Sequence, residues 1–232
     1  MKILILTGAG ISAESGVPTF RDANGLWEGH RFEDVATPQA FQRNPALVHD
    51  FYNQRRRCLL DAKIQPNAAH RALAEFEAAQ RDDFLLVTQN IDDLHTRAGS
   101  KRVLAMHGEL LKARCVRTGE IFPWRDDLDQ STPHPTRPEI RGTLRPHVVW
   151  FGEMPLGLEQ IQEAASQADL FIAIGTSAVV YPAAGIVRQT KPSCRKIEIN
   201  LDDTPNSSEF DESIRGKASI EVPAFLKSLD LD

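Results

Sequence analysis

The stretch ILILTGAGISAESG, residues 3–16, decides the fold. It begins with four consecutive apolar residues and continues through Gly8 and Gly10 into a helix-like segment. Strands of a parallel sheet are covered on both faces, so they are continuously apolar rather than alternating. Glycines after such a strand let the backbone approach a phosphate, and the start of the next helix offers free N–H groups to an anion. The spacing Gly-x-Gly-x5-Gly differs from the dehydrogenase pattern, so by itself it fits a dinucleotide site and a plain tight turn equally well.

The rest of the chain repeats this pattern. Apolar runs recur at residues 84–88, 103–106, 170–174, 196–199 and 219–222, and we predict a strand at each. Helix-like segments separate most of them, among them 67–80, where Asn67 is a candidate N-cap, and 157–168. The alternation of strands and helices predicts the α/β class, with a doubly wound (Rossmann-like) parallel sheet.

Two regions interrupt this alternation. Residues 25–66 contain the helical run PALVHDFYNQRRRCLLDA, and a long irregular stretch spans residues 115–146. We predict one domain over residues 1–232, in which these two regions form a smaller inserted module over the ligand edge of the sheet. The predicted boundaries are a core of 1–24, 67–107 and 147–232, a helical insert of 25–66 and a reduced loop module of 108–146.

The composition excludes several classes of protein. The 232 residues are 41% hydrophobic with a formal net charge of −5, as expected of a globular chain with a buried core. No apolar run approaches the roughly 18 residues of a membrane span, and no sustained basic stripe marks a nucleic-acid surface. Three cysteines fit no disulfide framework, and because the sequence opens on a predicted strand we expect no targeting segment. We therefore predict a cytoplasmic protein that binds neither membrane nor nucleic acid.

Polar residues follow several of the predicted strands. They are Gln89, Asn90, Asp92, Gly175, Thr176, Ser177, Asn200 and Asp202. Taken singly, such residues are more often helix caps or turn residues. Because ligands of open α/β sheets bind at the carboxyl ends of the strands, the whole set predicts a cleft for a polar ligand of dinucleotide size. His107 also ends a strand, where it either caps the next turn or serves as an exposed general base.

The sequence resembles the sirtuins, the NAD-dependent protein lysine deacylases, over nearly its whole length. The motifs GAGISAESGVPTFR, TQNIDDLH, HGEL, LRPHVVWFGE, IGTS and INLD stand in the order and positions of that family, which also shares the unusual glycine spacing. The chain is most similar to bacterial members that also remove acidic acyl groups. The resemblance implies that NAD is consumed: the acyl-lysine oxygen displaces nicotinamide, and the acyl group leaves as O-acyl-ADP-ribose.

The resemblance also implies roles for individual residues. His107 matches the general base, Asn90 and Asp92 match residues around the nicotinamide ribose and carboxamide, and these three form the implied catalytic set. Phe20 and Arg21 match a flexible lid over the reacting centre. The implied NAD-binding residues are Gly8, Ala9, Gly10, Phe20, Arg21, Gln89, Asn90, Ile91, Asp92, Gly175, Thr176, Ser177, Asn200, Leu201, Asp202 and Ala218. The implied substrate-binding residues, which include two edges that hold the acyl-lysine backbone as an added strand, are Tyr52, Arg55, Val148, Val149, Phe151, Gly152, Glu153 and Val180.

The run HDFYNQRRR allows two interpretations. On a helix, Tyr52 and Arg55 share a face, and the plain interpretation is a solvated basic surface. In a sirtuin, Tyr-x-x-Arg at this place resembles the pair that marks desuccinylases and demalonylases. Arginine binds a carboxylate through two parallel hydrogen bonds, and the phenol supplies a third donor. We therefore expect succinyl-lysine to be a good substrate and acetyl-lysine to be accepted, with malonyl-lysine as a further candidate.

Most sirtuins hold a structural zinc ion through two pairs of cysteines in the interval that corresponds to residues 115–146. Here Cys115 stands alone, because position 118 is Thr118 and the next cysteine is Cys194. A structural zinc site needs four ligands; Cys115 and His134 supply two, and the remaining candidates, Asp126, Asp127 and Asp129, have no recognisable spacing. We predict no metal and expect the apolar cluster of Ile121, Phe122, Trp124 and Leu128 to pack against the core and so to order this module.

Three other functions share some of these features. An ADP-ribosyltransferase would use the same NAD site with a different acceptor, and the apparent acyl-lysine channel argues against it. An NAD-sensing module without activity would tolerate the loss of His107, Asn90 and Asp92, which are present. A hydride-transferring oxidoreductase would not release nicotinamide.

Overall fold

A computed structural model of the chain describes residues 1–19, 26–27, 29–79 and 83–229. The strands are β1 (Ile3–Thr7), β2 (Leu26–Trp27), β3 (His30–Arg31), β4 (Phe84–Thr88), β5 (Val103–Ala105), β6 (Gly108–Cys115), β7 (Ile121–Pro123), β8 (Pro133–His134), β9 (Arg137–Arg141), β10 (Leu144–Val148), β11 (Leu170–Ile174), β12 (Arg195–Asn200) and β13 (Glu212–Arg215). The helices are α1 (Gly10–Ala13), α2 (Phe32–Val35), α3 (Pro38–Arg43), α4 (Pro45–Leu59), α5 (Ala68–Ala79), α6 (Leu94–Ala98), α7 (Leu158–Gln167) and α8 (Ala218–Ser228), with 3₁₀ helices at Ala183–Gln189 and Ser207–Glu209. Across these ranges, no helix combines the length and the apolar composition that crossing a membrane requires.

Six strands form one parallel sheet in the order β13-β12-β11-β1-β4-β5, which confirms the predicted doubly wound α/β class. Ile3 of β1 pairs with Leu170 of β11 on one side and with Phe84 of β4 on the other. The chain therefore extends the sheet from β1 in both directions, and the direction changes between β1 and β11. Gly8 and Gly175, which follow these two strands, thus lie where open α/β sheets bind ligands.

Two apolar layers cover the sheet, one on each face. Ile3 and Ile5 point into a cluster with α5 and α8, whereas Leu4 and Leu6 point into a cluster with α7 and Ala183–Gln189. None of the four side chains is more than 3% exposed. Burial of such a side chain contributes roughly 1.5–3 kcal/mol, so the continuous apolar pattern of β1 is what both layers require.

Most of the predicted elements are confirmed to within one residue at each end, and one is wrong. Residues 219–222 lie in α8, where Ala218, Val222, Phe225 and Leu226 form one buried helical face. The strand next to β12 is instead β13, with the sequence ESIR. At the edge of the sheet this strand is half solvated, so it lacks the apolar run that marks the central strands.

One of the two predicted inserted regions contains the helix that was expected, and the other contains more regular secondary structure than was expected. Region 25–66 carries α4, as predicted, and the side chain of Asn44 accepts a hydrogen bond from the backbone N of Leu47 at its start. The stretch predicted to be irregular is not: β10, β6 and β7 form a three-stranded antiparallel sheet, and β8 pairs with β9. The division of the chain into a core, a helical insert and a loop module remains a prediction.

The module of residues 108–146 has a small apolar cluster of its own. Ala113, Cys115, Leu128 and Leu144 are each at most 1% exposed, and Phe122 and Trp124 pack against them. The expectation that Ile121 joins this cluster is wrong, since it is 50% exposed on the short strand β7. The packing expected for the other three apolar residues is found, but within the module rather than in the core of the large sheet.

A buried asparagine on α4 joins the helical region to this module. Asn53 Nδ2 donates to the carbonyl oxygen of Leu128 at 2.8 Å, and the backbone N of Leu128 donates to Asn53 Oδ1 at 2.9 Å. Arg56 Nη1 also donates to Asn53 Oδ1, at 2.8 Å, and Arg56 is fully buried. Together these bonds hold the segment after β7 against α4.

Candidate active site

A cleft of about 360 Å³ opens at the carboxyl ends of β1, β4 and β11 and extends to α4 and to the segment after β10. It brings together residues predicted for NAD, for catalysis and for the substrate. The predicted residues that line it are Gly8, Ala9, Gly10, Tyr52, Arg55, Gln89, Asn90, Ile91, Asp92, His107, Val148, Val149, Phe151, Gly152, Glu153, Gly175, Thr176, Ser177 and Val180.

The remaining predicted residues do not line this cleft. Asn200 supports it indirectly, because its buried Nδ2 donates to the carbonyl oxygen of Thr176 at 2.7 Å. Leu201 and Asp202 follow it on the exposed side, and Ala218 starts α8 within the core. Their contact with NAD remains a prediction. The two lid residues predicted at positions 20 and 21, Phe20 and Arg21, lie outside the described residues.

Several lining residues were missed in the sequence. They are Ser12, Val17, Pro18, Thr19, Ala36, Gln54, Cys58, Leu59, Leu110, Trp150, Pro155 and Tyr181. Helical spacing could have identified two of them, since Cys58 and Leu59 follow Tyr52 and Arg55 along one face of α4. Trp150 and Tyr181 lie within the segments VVWFGE and AVVYP, which match the two predicted substrate edges, although neither was named as a site residue.

The glycine turn after β1 packs backbone to backbone against the turn after β11. Gly10 N donates to the carbonyl oxygen of Gly175 at 2.8 Å. A Cβ atom placed on Gly8 would lie 2.7 Å from that same oxygen, and one on Gly10 would lie 2.7 Å from the Gly175 Cα. Gly175 itself has φ of 59°, in the left-handed region. The close approach of the two turns therefore requires glycine at these positions.

A serine at the bottom of the cleft connects the two predicted polar residues. Ser12 Oγ donates to Asp92 Oδ2 at 2.9 Å and accepts from Asn90 Nδ2 at 3.2 Å. The backbone N of Leu94 donates to Asp92 Oδ1 at 3.0 Å. Burial outweighs these hydrogen bonds and raises the pKa of Asp92 to about 6. Burial therefore makes ionisation of Asp92 less favourable than that of an exposed carboxylate.

Two buried histidines lie beneath this group. The backbone N of Asn67 lies 3.3 Å from His70 Nδ1, which must accept, so we place the His70 proton on Nε2, 3.4 Å from Ser12 Oγ. His95 Nε2 lies 3.0 Å from Thr7 Oγ1. Burial lowers the pKa of His70 to about 4 and that of His95 to about 3. Both rings are thus neutral at pH 7 and place no positive charge under Asp92.

His107 is held in the tautomer that a base requires. Its Nδ1 lies 2.9 Å from the carbonyl oxygen of Gln89, which can only accept, so the proton is on Nδ1 and Nε2 keeps its lone pair. Burial lowers the pKa of His107 below its ordinary value, although the bond to Gln89 opposes this effect. The ring is therefore neutral at pH 7 and can accept a proton at Nε2.

The other end of the cleft contains the Tyr-x-x-Arg pair of α4. Tyr52 is 1% exposed, and Arg55 is half-buried with Nη1 donating to the carbonyl oxygen of Phe51 at 2.7 Å. Arg56 lies inside the protein, and Arg57 forms an exposed ion pair with Asp127 at 2.8 Å. Only Arg57 thus fits the alternative of a solvated basic surface, and Arg55 lies in the same cleft as His107.

One antiparallel ladder holds His107 next to the predicted substrate edge. Gly108 of β6 pairs with Val148 of β10, and the backbone N of Val149 donates to the His107 carbonyl oxygen at 2.8 Å. A Cβ on Gly108 would lie 2.2 Å from the His147 carbonyl oxygen, so the pairing requires glycine there. The candidate base and the substrate edge are therefore neighbours in one ladder.

Glu153 braces the turn that follows β10. It accepts from Arg145 Nη1 at 2.7 Å and Nη2 at 3.0 Å, from Arg114 Nη2 at 2.7 Å, and from the backbone N of Trp150 at 2.8 Å. Burial would raise the pKa of Glu153, but the hydrogen bonds from Arg145 and Trp150 lower it below its ordinary value. The carboxylate of Glu153 therefore holds the predicted substrate edge in place through hydrogen bonds.

The two candidate metal ligands of the module make hydrogen bonds with other side chains. Cys115 Sγ lies 3.3 Å from Thr143 Oγ1, and His134 Nε2 lies 3.4 Å from Thr118 Oγ1 and 3.3 Å from Glu120 Oε2. Among the described residues, no group of three or more histidine, cysteine, aspartate or glutamate side chains is arranged to hold a metal ion. Independence from zinc remains a prediction.

Comparison with known proteins identifies relatives of the whole chain. Residues 8–182 match the Sir2 family. A protein of Rhodopirellula baltica named NAD-dependent protein deacylase is 70% identical over 233 residues, covering 97% of this chain and 98% of that protein. A protein of Salmonella typhimurium with the same name is 56% identical over 227 residues, covering 97% of this chain and 82% of that protein. The crystal structure of a Sir2 homologue in complex with NAD has a TM-score of 0.86 at 40% identity, covering 97% of this chain and 88% of that one.

Proposed function

Because the chain belongs to the Sir2 family and is an NAD-dependent protein deacylase, we propose that it removes succinyl as well as acetyl groups from protein lysine side chains, with malonyl as a further candidate. The resemblance to the sirtuins, the NAD dependence and the enzyme class predicted from the sequence are thereby confirmed. ADP-ribosyl transfer is not favoured, since the relatives are named as deacylases. The acyl groups and the roles of individual residues are what we propose.

The residues of the cleft fit NAD. The glycine turns after β1 and β11 form a cradle without side chains, in which a Cβ on Gly8 or Gly10 would collide with backbone. Such a turn accommodates the close approach of a phosphate. Gln89, which follows β4, donates from Nε2 to Thr176 Oγ1 at 2.9 Å and so links the carboxyl ends of β4 and β11. NAD supplies the ribose carbon that loses nicotinamide and accepts the acyl oxygen.

In this proposal His107 is the general base. Because Nδ1 donates its proton to the Gln89 carbonyl oxygen, the Nε2 lone pair is available at neutral pH. Through Nε2, His107 takes a proton from a ribose hydroxyl. Asn90 and Asp92, linked through Ser12, orient the nicotinamide end. Val148 and Val149 hold the acyl-lysine backbone beside the base, because they share its ladder.

The selectivity for acidic acyl groups rests on one observation: Tyr52 and Arg55 line the same cleft as His107. A guanidinium and a phenol at the end of an acyl pocket match a terminal carboxylate, and the smaller acetyl group still fits. A hydrogen bond to a charged group is worth roughly 1.5–3 kcal/mol, which is about one to two decades in rate or affinity.

The test compares Arg55→Met with Arg57→Met, a control on the same helix whose ion pair is exposed. Turnover of matched acetyl-lysine and succinyl-lysine peptides is followed by mass spectrometry of the free peptide and of O-acyl-ADP-ribose. We expect Arg55→Met to lower succinyl kcat/KM by about 10- to 100-fold and acetyl kcat/KM by less than about threefold. Equal effects on both peptides, or equal effects of the two variants, would contradict the assignment of Arg55.

The same proposal includes the setting of the reaction. The substrates are acylated lysines on proteins, and the predicted cytoplasmic location fits the unpaired cysteines Cys58, Cys115 and Cys194. Cell fractionation tests the location. Elemental analysis of the purified protein tests the predicted zinc independence, which one tightly bound zinc ion per chain would overturn.

A further inference from the structure

A buried tryptophan contacts the phenol of the acyl pocket. Trp150, which follows β10, donates from Nε1 to Tyr52 Oη at 3.0 Å. Trp150 is 2% exposed and Tyr52 is 1% exposed, so water does not compete for this bond. The two residues are 98 positions apart in the chain, and both line the cleft.

The chemistry of the two groups fixes the direction of this bond. The indole N–H of Trp150 can only donate, so the oxygen of Tyr52 accepts this hydrogen bond through one of its lone pairs. The proton of the phenol is then directed to a different acceptor. Burial raises the pKa of Tyr52 above its ordinary value, so the phenol keeps this proton at every working pH. A phenol that accepts one hydrogen bond also becomes a better donor of the next.

Other contacts fix the position of the indole ring. The guanidinium carbon of Arg145 lies 3.1 Å from the ring centroid of Trp150, and Phe41 packs on the ring at 5.3 Å between centroids. Arg145 is itself paired with Glu153, which also accepts from the backbone N of Trp150. The ring is thus held by the same brace that shapes the substrate edge.

We propose that Trp150 is a positioning residue for selectivity towards acidic acyl groups: its Nε1–H occupies one lone pair of Tyr52 and directs the phenol proton to the carboxylate of a succinyl or malonyl chain. This inference rests on the proposed function, because it needs the pocket of Tyr52 and Arg55. Trp150 does not touch the reacting atoms. Its effect is confined to the carboxylate end of the acyl chain.

The test is Trp150→Phe, which keeps an aromatic ring under Arg145 and removes the donor. We expect KM for a succinyl-lysine peptide to rise about three- to tenfold with kcat unchanged, while KM for acetyl-lysine and for NAD changes by less than twofold. Trp124→Phe, in the small cluster of the module and outside the cleft, is the matched control and leaves the acyl selectivity unchanged. In a Tyr52→Phe background, Trp150→Phe has no further effect on the ratio of succinyl to acetyl turnover.

The outcomes separate this inference from the proposed function. If Tyr52→Phe and Arg55→Met leave the succinyl to acetyl ratio unchanged, the acyl pocket itself is wrong. If they change it and Trp150→Phe does not, or if Trp150→Phe raises both peptide KM values equally, only the role of Trp150 is overturned. Should Trp150→Phe fail to fold, benzothienylalanine at position 150 keeps the shape of indole with sulfur in place of N–H, and the same ratio decides.

Discussion

Replacing Asn53 with alanine removes the bonds that hold the module of residues 108–146 to α4. Asn53 is 7% exposed and makes three hydrogen bonds: it donates to the Leu128 carbonyl oxygen and accepts from Leu128 N and Arg56 Nη1. Leu128 is 1% exposed, so its backbone groups have little access to water. The natural comparison is Arg57→Ala, because the Arg57 ion pair with Asp127 joins the same helix to the same segment.

The magnitudes separate the two variants. Each net hydrogen bond contributes about 1 kcal/mol, and a buried group left without a partner costs roughly 1–3 kcal/mol. Loss of the three Asn53 bonds therefore lowers the free energy of unfolding by about 3 kcal/mol, since Arg56 keeps a bond from Nε to the Leu110 carbonyl oxygen at 3.3 Å. The side chains of Arg57 and Asp127 are 58% and 51% exposed, and such a surface pair is worth about 0–1 kcal/mol.

Thermal unfolding and hydrogen exchange provide the readout. For a chain of this size, about 3 kcal/mol lowers Tm by roughly 6–12 °C, whereas Arg57→Ala shifts it by no more than about 4 °C. If the module opens without the core, Tm changes less, and exchange quickens selectively in peptides from 121–141. An Asn53→Ala protein that matches Arg57→Ala in both measurements would refute the view that buried hydrogen bonds, rather than the surface ion pair, hold the module in place.

Two further predictions concern the floor of the cleft. Burial raises the pKa of Asp92 from 3.8 to about 6, so its ionisation is disfavoured in the folded state and stability is lost as pH rises between those values. The Tm of Asp92→Asn relative to the unchanged protein should therefore rise from about pH 4 to about pH 6 and then level off, while deacylation is lost; a difference that is flat across this range would contradict the raised pKa. Gly8→Ala places a Cβ 2.7 Å from the Gly175 oxygen, so NAD binding measured by calorimetry should weaken at least about tenfold; Gly185→Ala, whose nearest contact is the Tyr181 ring at 3.5 Å, should bind NAD normally.

The sheet and the glycine turn were predictable because their signals are local. Residues 3–16 contain both the continuous apolar strand and the glycines that its position beside β11 demands. The same rule failed at residues 219–222, since four apolar-rich residues fit a strand and a buried helical turn alike. Only the packing of α8 on α5 distinguishes them.

The parts of the site that escaped prediction depend on distant partners. Ser12 and Trp150 matter through bonds to residues 80 and 98 positions away, and no local pattern encodes such pairs. The run of Arg55, Arg56 and Arg57 shows the same limit: three identical residues have three different environments, which the neighbours of α4 decide. The family resemblance singled out Arg55, but not the buried role of Arg56.

The ladder of β6 and β10 separates His107 from the turn that follows β6. Its near end joins Gly108 to Val148 beside His107, and its far end pairs Cys115 with Leu144. The register shifts between Pro146 and His147, and the four residue steps of β10 at about 3.3 Å place the far end roughly 13 Å from the near one. The turn beyond it, at Arg117 and Gly119, is exposed. We therefore expect that chain length can vary at that turn, and that a tag or a small domain can be inserted there, without moving His107 relative to Val148 and Val149.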